Sequence, residues 1–125
     1  MSSSVPTVHR EFLRAALADG IGRSSLRSVA HQLGMSASGL RKFLRGTDPM
    51  DATLRKAERW YALHGRIAAS PAPPAAYALL MVLLHDLPPR RRPQALRRML
   101  GAVEEVHRTA GAEPPDWIGG LGARL

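Results

Sequence analysis

Residues 26–45, LRSVAHQLGMSASGLRKFLR, hold two short amphipathic segments with a break between them. Leu26, Val29, Ala30 and Leu33 recur at helical spacing and line one face of a first segment. Gly34 follows directly, where a left-handed residue ends a helix and turns the chain. Ser36 stands at an N-cap position, and Leu40, Phe43 and Leu44 mark the buried face of a second helix. Ala30 is small where the two helices approach, and apolar Met35 plugs the turn between them. Two short helices joined by a tight glycine-containing turn make a helix-turn-helix unit.

The second helix leaves Ser36, Ala37, Ser38, Arg41, Lys42 and Arg45 off its apolar stripe, and none of them is acidic. Small residues at its start let it sink into a groove, and the cations further along can reach base edges or phosphates. That layout fits a recognition helix in the DNA major groove better than a merely solvated basic face.

Residues from about 25 to 60 resemble the helix-turn-helix domain of phage repressors of the lambda and Cro type, through VAHQLGMSASGL and the extension FLRGTDPMDATLRKAERWYAL. The Lac repressor group's headpiece carries a similar pattern. The resemblance implies that Ser36, Ala37, Ser38, Arg41 and Lys42 occupy outward positions of the recognition helix, with Arg45 at its C-terminal end. Residues 18–25, ADGIGRSS, depart from that pattern, being longer and richer in glycine than the usual link between the first two helices.

A chain of 125 residues has room for one domain, or a small domain with an appendage, and for a core without staples. The absence of cysteine excludes disulfides and thiolate metal sites and fits a reducing cytoplasm. The net charge is +8, and residues 1–66 hold eleven cations against five acids, while 67–125 hold seven against five. The excess therefore sits on the half with the helix-turn-helix, as a nucleic-acid footprint requires. The opening MSSSVPTVHREF has no apolar stretch of the kind a signal peptide needs.

In chain order, residues 1–6 read as a frayed tail and 7–18 as a first helix that Asp19, Gly20 and Gly22 end. Helices are then expected over 25–33, 37–45 and 51–63. Asp48, Pro49 and Asp51 supply the last of these with a cap, a first-turn proline and acids near its positive end. Leu54, Ala57, Trp60 and either Tyr61 or Leu63 form its buried side, with Arg55, Lys56 and Arg59 outside. Ser70 to Pro74 reads as a short stiff linker or a sharp helix start. Residues 75–87 are apolar nearly all round, too short for a membrane span of ~20 residues, and so must be covered. A second copy of the chain, or completion of the monomer's own core, would cover them equally well. After a basic run at Arg90, Arg91 and Arg92, residues 93–109 carry a stripe of Leu96, Met99, Leu100, Val103 and Val106. Residues 111–125 read as irregular, docked by Trp117 and Ile118.

The five histidines are scattered and show no paired metal spacing; His85, beside Asp86 at a helix end, reads as a cap or surface group. No nucleophile elbow or phosphate loop is present, so no enzyme, metal or cofactor is expected. The sequence thus predicts an all-α protein: four repressor-like helices over 1–66, and two C-terminal helices over 67–125 for dimerisation or a protein partner. It is expected to be a cytoplasmic regulator of transcription that binds duplex DNA as a homodimer. Arg41, Lys42 and Ser38 are the expected base-edge contacts, and Ser36, Arg27, Arg45 and Arg55 the phosphate contacts. The competing reading is an antitoxin or adaptor that grips a partner with 75–87.

Overall fold

The computed structural model describes residues 5–67 and 71–122, and every regular element within them is helical. Seven α-helices follow one another: α1 Val5–Arg23, α2 Leu26–Leu33, α3 Ala37–Leu44, α4 Asp51–His64, α5 Pro73–Leu83, α6 Arg92–Thr109 and α7 Asp116–Gly122. A 3-10 turn, Pro89–Arg91, leads into α6. Most of the expected tail, and Ser70 of the expected linker, lie outside the described residues.

The glycines of 18–25 do not end α1, which begins at Val5 and runs on to Arg23. The reason is packing. A Cβ on buried Gly20 would stand 2.6 Å from the Trp60 indole, so glycine here is a notch that lets α4 press against α1. The helix stops one turn later, where the Ser24 hydroxyl donates to the Gly20 carbonyl at 2.9 Å. Pro49 likewise lies outside α4, whose N-cap is Met50 with no side-chain cap bond; Asp51 opens the helix instead. Leu54 is only partly buried and Leu63 is 71% exposed, so the buried face of α4 is Ala57, Glu58, Trp60 and Tyr61.

Helix α5 explains its all-round apolarity by standing between two clusters. Ala75 and Ala78 join Leu13, Leu17, Val29, Leu33, Leu40, Phe43, Ala57, Trp60 and Tyr61 on one side. Ala76 and Met81 join Leu84, Leu96, Leu100, Ile118 and Leu121 on the other. The chain itself covers these positions, and α5 ends at Leu83 rather than at 87. The stripe of α6 buries Leu96 and Leu100 but leaves Val106 67% exposed. Past Gly111 the chain is not irregular throughout: Asp116 opens α7, and Ile118 and Leu121, one turn apart, drop into the second cluster.

A polar link joins the two clusters. Glu58, 4% exposed on α4, accepts from His9 Nε2 of α1 and from His85 Nε2 just beyond α5, both at 2.6 Å. His85 is therefore a core residue, not the cap or surface group its position suggested. A carboxylate can only accept, so each ring presents an Nε2–H to it. The His9 ring also meets Tyr77 of α5 edge-on at 4.7 Å. Burial, and then the charge of Glu58, push the Tyr77 hydroxyl above its ordinary 10.0. Beside this link, buried Arg92 donates from Nε to the carbonyls of Leu84 and Leu87 and from a terminal nitrogen to that of His85. Its other terminal nitrogen reaches Asp51 Oδ1 at 2.9 Å. Arg92 thus pins the start of α6 to the first turn of α4. No group of three or more His, Asp or Glu among the described residues is placed to hold a metal ion.

Three outcomes are expected. Glu58→Ala leaves two buried imidazoles without their acceptor and should lower the unfolding free energy by about 3–5 kcal/mol, read by urea denaturation. Glu58→Gln, which can accept from one ring and donate to the other, should cost less. The hydrogen bond from Arg92 holds the Asp51 carboxyl below its ordinary 3.8, against a partial desolvation cost. A depressed carboxyl stabilises the fold above its unfolded-state value and loses that contribution as pH falls through its folded-state value. Asp51→Asn should therefore lower stability in the neutral range and flatten its further loss below about pH 4. An unaltered acid limb would refute this.

Candidate nucleic-acid interface

Helices α2 and α3 form a corner whose local structure follows its residues. Ser25 and Ser36 are the two N-caps, accepting from the backbone N–H of Ser28 and Gly39 at 3.1 and 3.0 Å. Gly34 turns the chain with φ of 74°, a conformation in which a Cβ is strained. Val29, Ala30 and Leu33 of α2 are buried with Leu40 and Phe43 of α3, and Met35 packs partly buried against them.

Side chains from the other helices brace the corner. Arg14 of α1 lies over the Phe43 ring, 5.0 Å from its centre, and donates through Nε to the Phe43 carbonyl at 2.7 Å. A second nitrogen of Arg14 reaches the Thr47 carbonyl at 3.2 Å. The Phe43 carbonyl, which also accepts from the Gly46 N–H at 3.1 Å, and the loop after α3 are thereby tied to α1. From α4, Lys56 donates to the Gly34 carbonyl at 3.2 Å, and Trp60 Nε1 donates to Gln32 at 2.8 Å. Two helices, α1 and α4, thus hold the corner at the end of α3, at its turn and at α2.

The residues singled out from the sequence fall into two groups. Ser38, Arg41, Lys42 and Arg45 are exposed along α3, and Arg27 is exposed in the first turn of α2. These four cations have no ion pair among the described residues. Ser36 is exposed but its hydroxyl is committed to the cap, and Ala37 is half-buried. Arg55 stands apart. It donates to the His85 carbonyl, and its Nε lies 3.2 Å from Asp51 in an ion pair. That side chain belongs to the α4–α6 junction, so the expectation of a free phosphate contact at Arg55 is corrected.

An open cleft of about 350 Å³ lies between α2 and α4. Its lining includes His31, Arg55, Lys56 and Arg59 and no carboxylate. Sequence reasoning missed Arg14, because it sits off the apolar stripe of α1 and resembles any surface cation. No local signal marks it, because the carbonyls it reaches, those of Phe43 and Thr47, lie 29 and 33 residues along the chain. Comparison with known proteins finds no matching family model, no matching curated protein and no matching solved structure.

The geometry separates bracing cations from free ones in a way that stability measurements can read. Arg14→Ala should lower the unfolding free energy by about 1–3 kcal/mol, since it strips donors from carbonyls beneath α3. Arg41→Ala should change it by no more than about 0.5 kcal/mol. Equal effects in urea denaturation would overturn the division.

Proposed function

We propose that the chain is a sequence-specific regulator of transcription that binds duplex DNA by placing α3 in the major groove. One observation carries this reading: Arg41, Lys42 and Arg45 stand exposed, with no ion pair among the described residues, on a corner that α1 and α4 brace from behind. A rigid element bearing free cations loses little entropy when it docks, and fixed guanidinium groups can reach guanine edges or phosphates. The cleft between α2 and α4 is lined by cations and no carboxylate, and so carries the same sign of charge. The arrangement supports a repressor-like helix-turn-helix, with Arg41, Lys42 and Ser38 on base edges and Arg27 and Arg45 on phosphates. Ser36 would contribute through the helix N-terminus, where backbone N–H groups favour a phosphate.

Two copies would bind a palindromic operator if their recognition helices lay ~34–36 Å apart, so a homodimer acting on DNA in the cytoplasm completes the reading. No helix among the described residues is long and apolar enough to cross a membrane. The alternative of an antitoxin or adaptor that grips a partner with 75–87 has less support. Ala75, Ala76, Ala78 and Met81 of that stretch are already buried against the chain's own helices. The reading assigns no catalytic step and no cofactor.

Arg41→Ala should relax preference at one base pair and weaken the best site by ~1–3 kcal/mol. Duplexes selected from a random pool by the purified protein, then re-measured with the variant, provide the test. A variant that keeps the wild-type preference would remove Arg41 from the base-reading set, and a wild-type chain indifferent to duplex DNA would sink the reading itself.

A further inference from the structure

The run Arg90, Arg91, Arg92 divides into two kinds of residue. Arg92 is buried and fully occupied by Asp51 and three carbonyls. Arg90 and Arg91 are exposed, bury nothing, and have no ion pair or hydrogen-bond partner through their side chains among the described residues. They project from a corner that is stiff on both sides, since Pro88 and Pro89 precede them and Pro93 follows. Arg92 fixes that corner in space: its two terminal nitrogens lie 2.9 and 3.4 Å from the Asp51 carboxylate, at the first residue of α4. Only residues 45–50 separate that carboxylate from the end of α3. The Asp51 carboxylate is neutralised from within, because it is shared by Arg92 and Arg55. Asp86, the other acid of the corner, is exposed and forms no ion pair with either cation.

We infer that Arg90 and Arg91 form a second phosphate-binding element, which the buried Arg92 clamp holds beside the N-terminus of α4. It engages the backbone of the same duplex whose major groove receives α3. The inference rests on the duplex-binding reading above. Phosphates line both edges of a groove only ~12 Å wide, so the backbone runs past the end of a helix lying in it and past the loop that follows. Cations on a proline-stiffened corner lose little freedom on contact, and guanidinium groups suit phosphate oxygens geometrically. These contacts read no sequence; they set affinity and register.

The test uses the full chain and a mixed-sequence duplex of about three helical turns, with affinity followed by fluorescence anisotropy across a salt series. Each phosphate contact contributes about 0.9 to the slope of log K against log salt, so the double variant Arg90→Ala/Arg91→Ala should flatten it by about 1.8. The ratio of affinities for a selected site and a scrambled one should stay unchanged. Circular dichroism and a urea midpoint equal to wild type would show that the fold is intact, as expected for two exposed side chains. A wild-type slope in the double variant overturns the inference, and so does a change in sequence preference. If Arg41→Ala still loses preference in that case, duplex binding through α3 stands and only the second element fails. If the wild-type chain binds no duplex, both fail together. Weakened binding to vesicles of acidic lipid, with duplex affinity untouched, would likewise overturn it.

Discussion

A carboxylate with 4% of its surface exposed sits where three parts of the chain meet, and the arrangement of the helices depends on it. Glu58 belongs to α4, His9 to α1, and His85 to the connection between α5 and α6. Taking a charge out of water costs several kcal/mol, which directional partners must offset. The two imidazoles provide those partners at 2.6 Å, and their geometry allows little sliding of one helix past another. Apolar contacts between Ala75, Ala78 and the first cluster hold α5 in place without specifying register. The polar link supplies the register that apolar area lacks.

What this frame does for α3 is to separate two tasks that cations perform. Arg14, Lys56 and Arg92 spend their donors on backbone carbonyls and on Asp51, and Arg55 joins them at the junction. Among the described residues, Arg27, Arg41, Lys42 and Arg45 spend none on side-chain acids. A helix of eight residues is marginal alone, so its position comes from what packs behind it. The bracing set therefore makes the free set rigid, and rigidity is what lets a basic stripe present its charges in one fixed arrangement.

Much of the α2–α3 corner was legible in the sequence because its determinants are local. Ser25, Ser36 and Gly34 act within four residues of themselves, and Leu40 and Phe43 repeat at helical spacing. The misreadings share a different cause: each depended on a partner far along the chain. Gly20 looks like a helix stop until Trp60, forty residues on, fills the space above it. His85 looks like a surface group until Glu58 meets it, and Arg55 looks free until the carbonyl of His85 arrives. The final segment looked irregular because Gly119, Gly120 and Gly122 lower helix propensity; Ile118 and Leu121, buried in the second cluster, outweigh it. No periodicity within a window carries these facts.

The distribution of acids follows from the same contacts and decides the surface potential. Residues 1–66 hold five acids. Glu58 is enclosed by two histidines, Asp51 is shared by Arg92 and Arg55, and Asp19 by Arg23 and Arg66. Asp48 lies 3.9 Å from Arg10, and Glu11 is on the exposed side of α1. Neither α2 nor α3 contains an acid of its own. A nearby carboxylate would pair with a surface arginine and turn its guanidinium aside, and would also repel a phosphate. Glu58 is buried and Asp51 and Asp19 are held in ion pairs, so the exposed cations of α2 and α3 keep their charge unopposed by those three acids. The ion pairs that hold this fold together thereby also make its corner basic, which composition alone, with cations and acids both present, does not dictate.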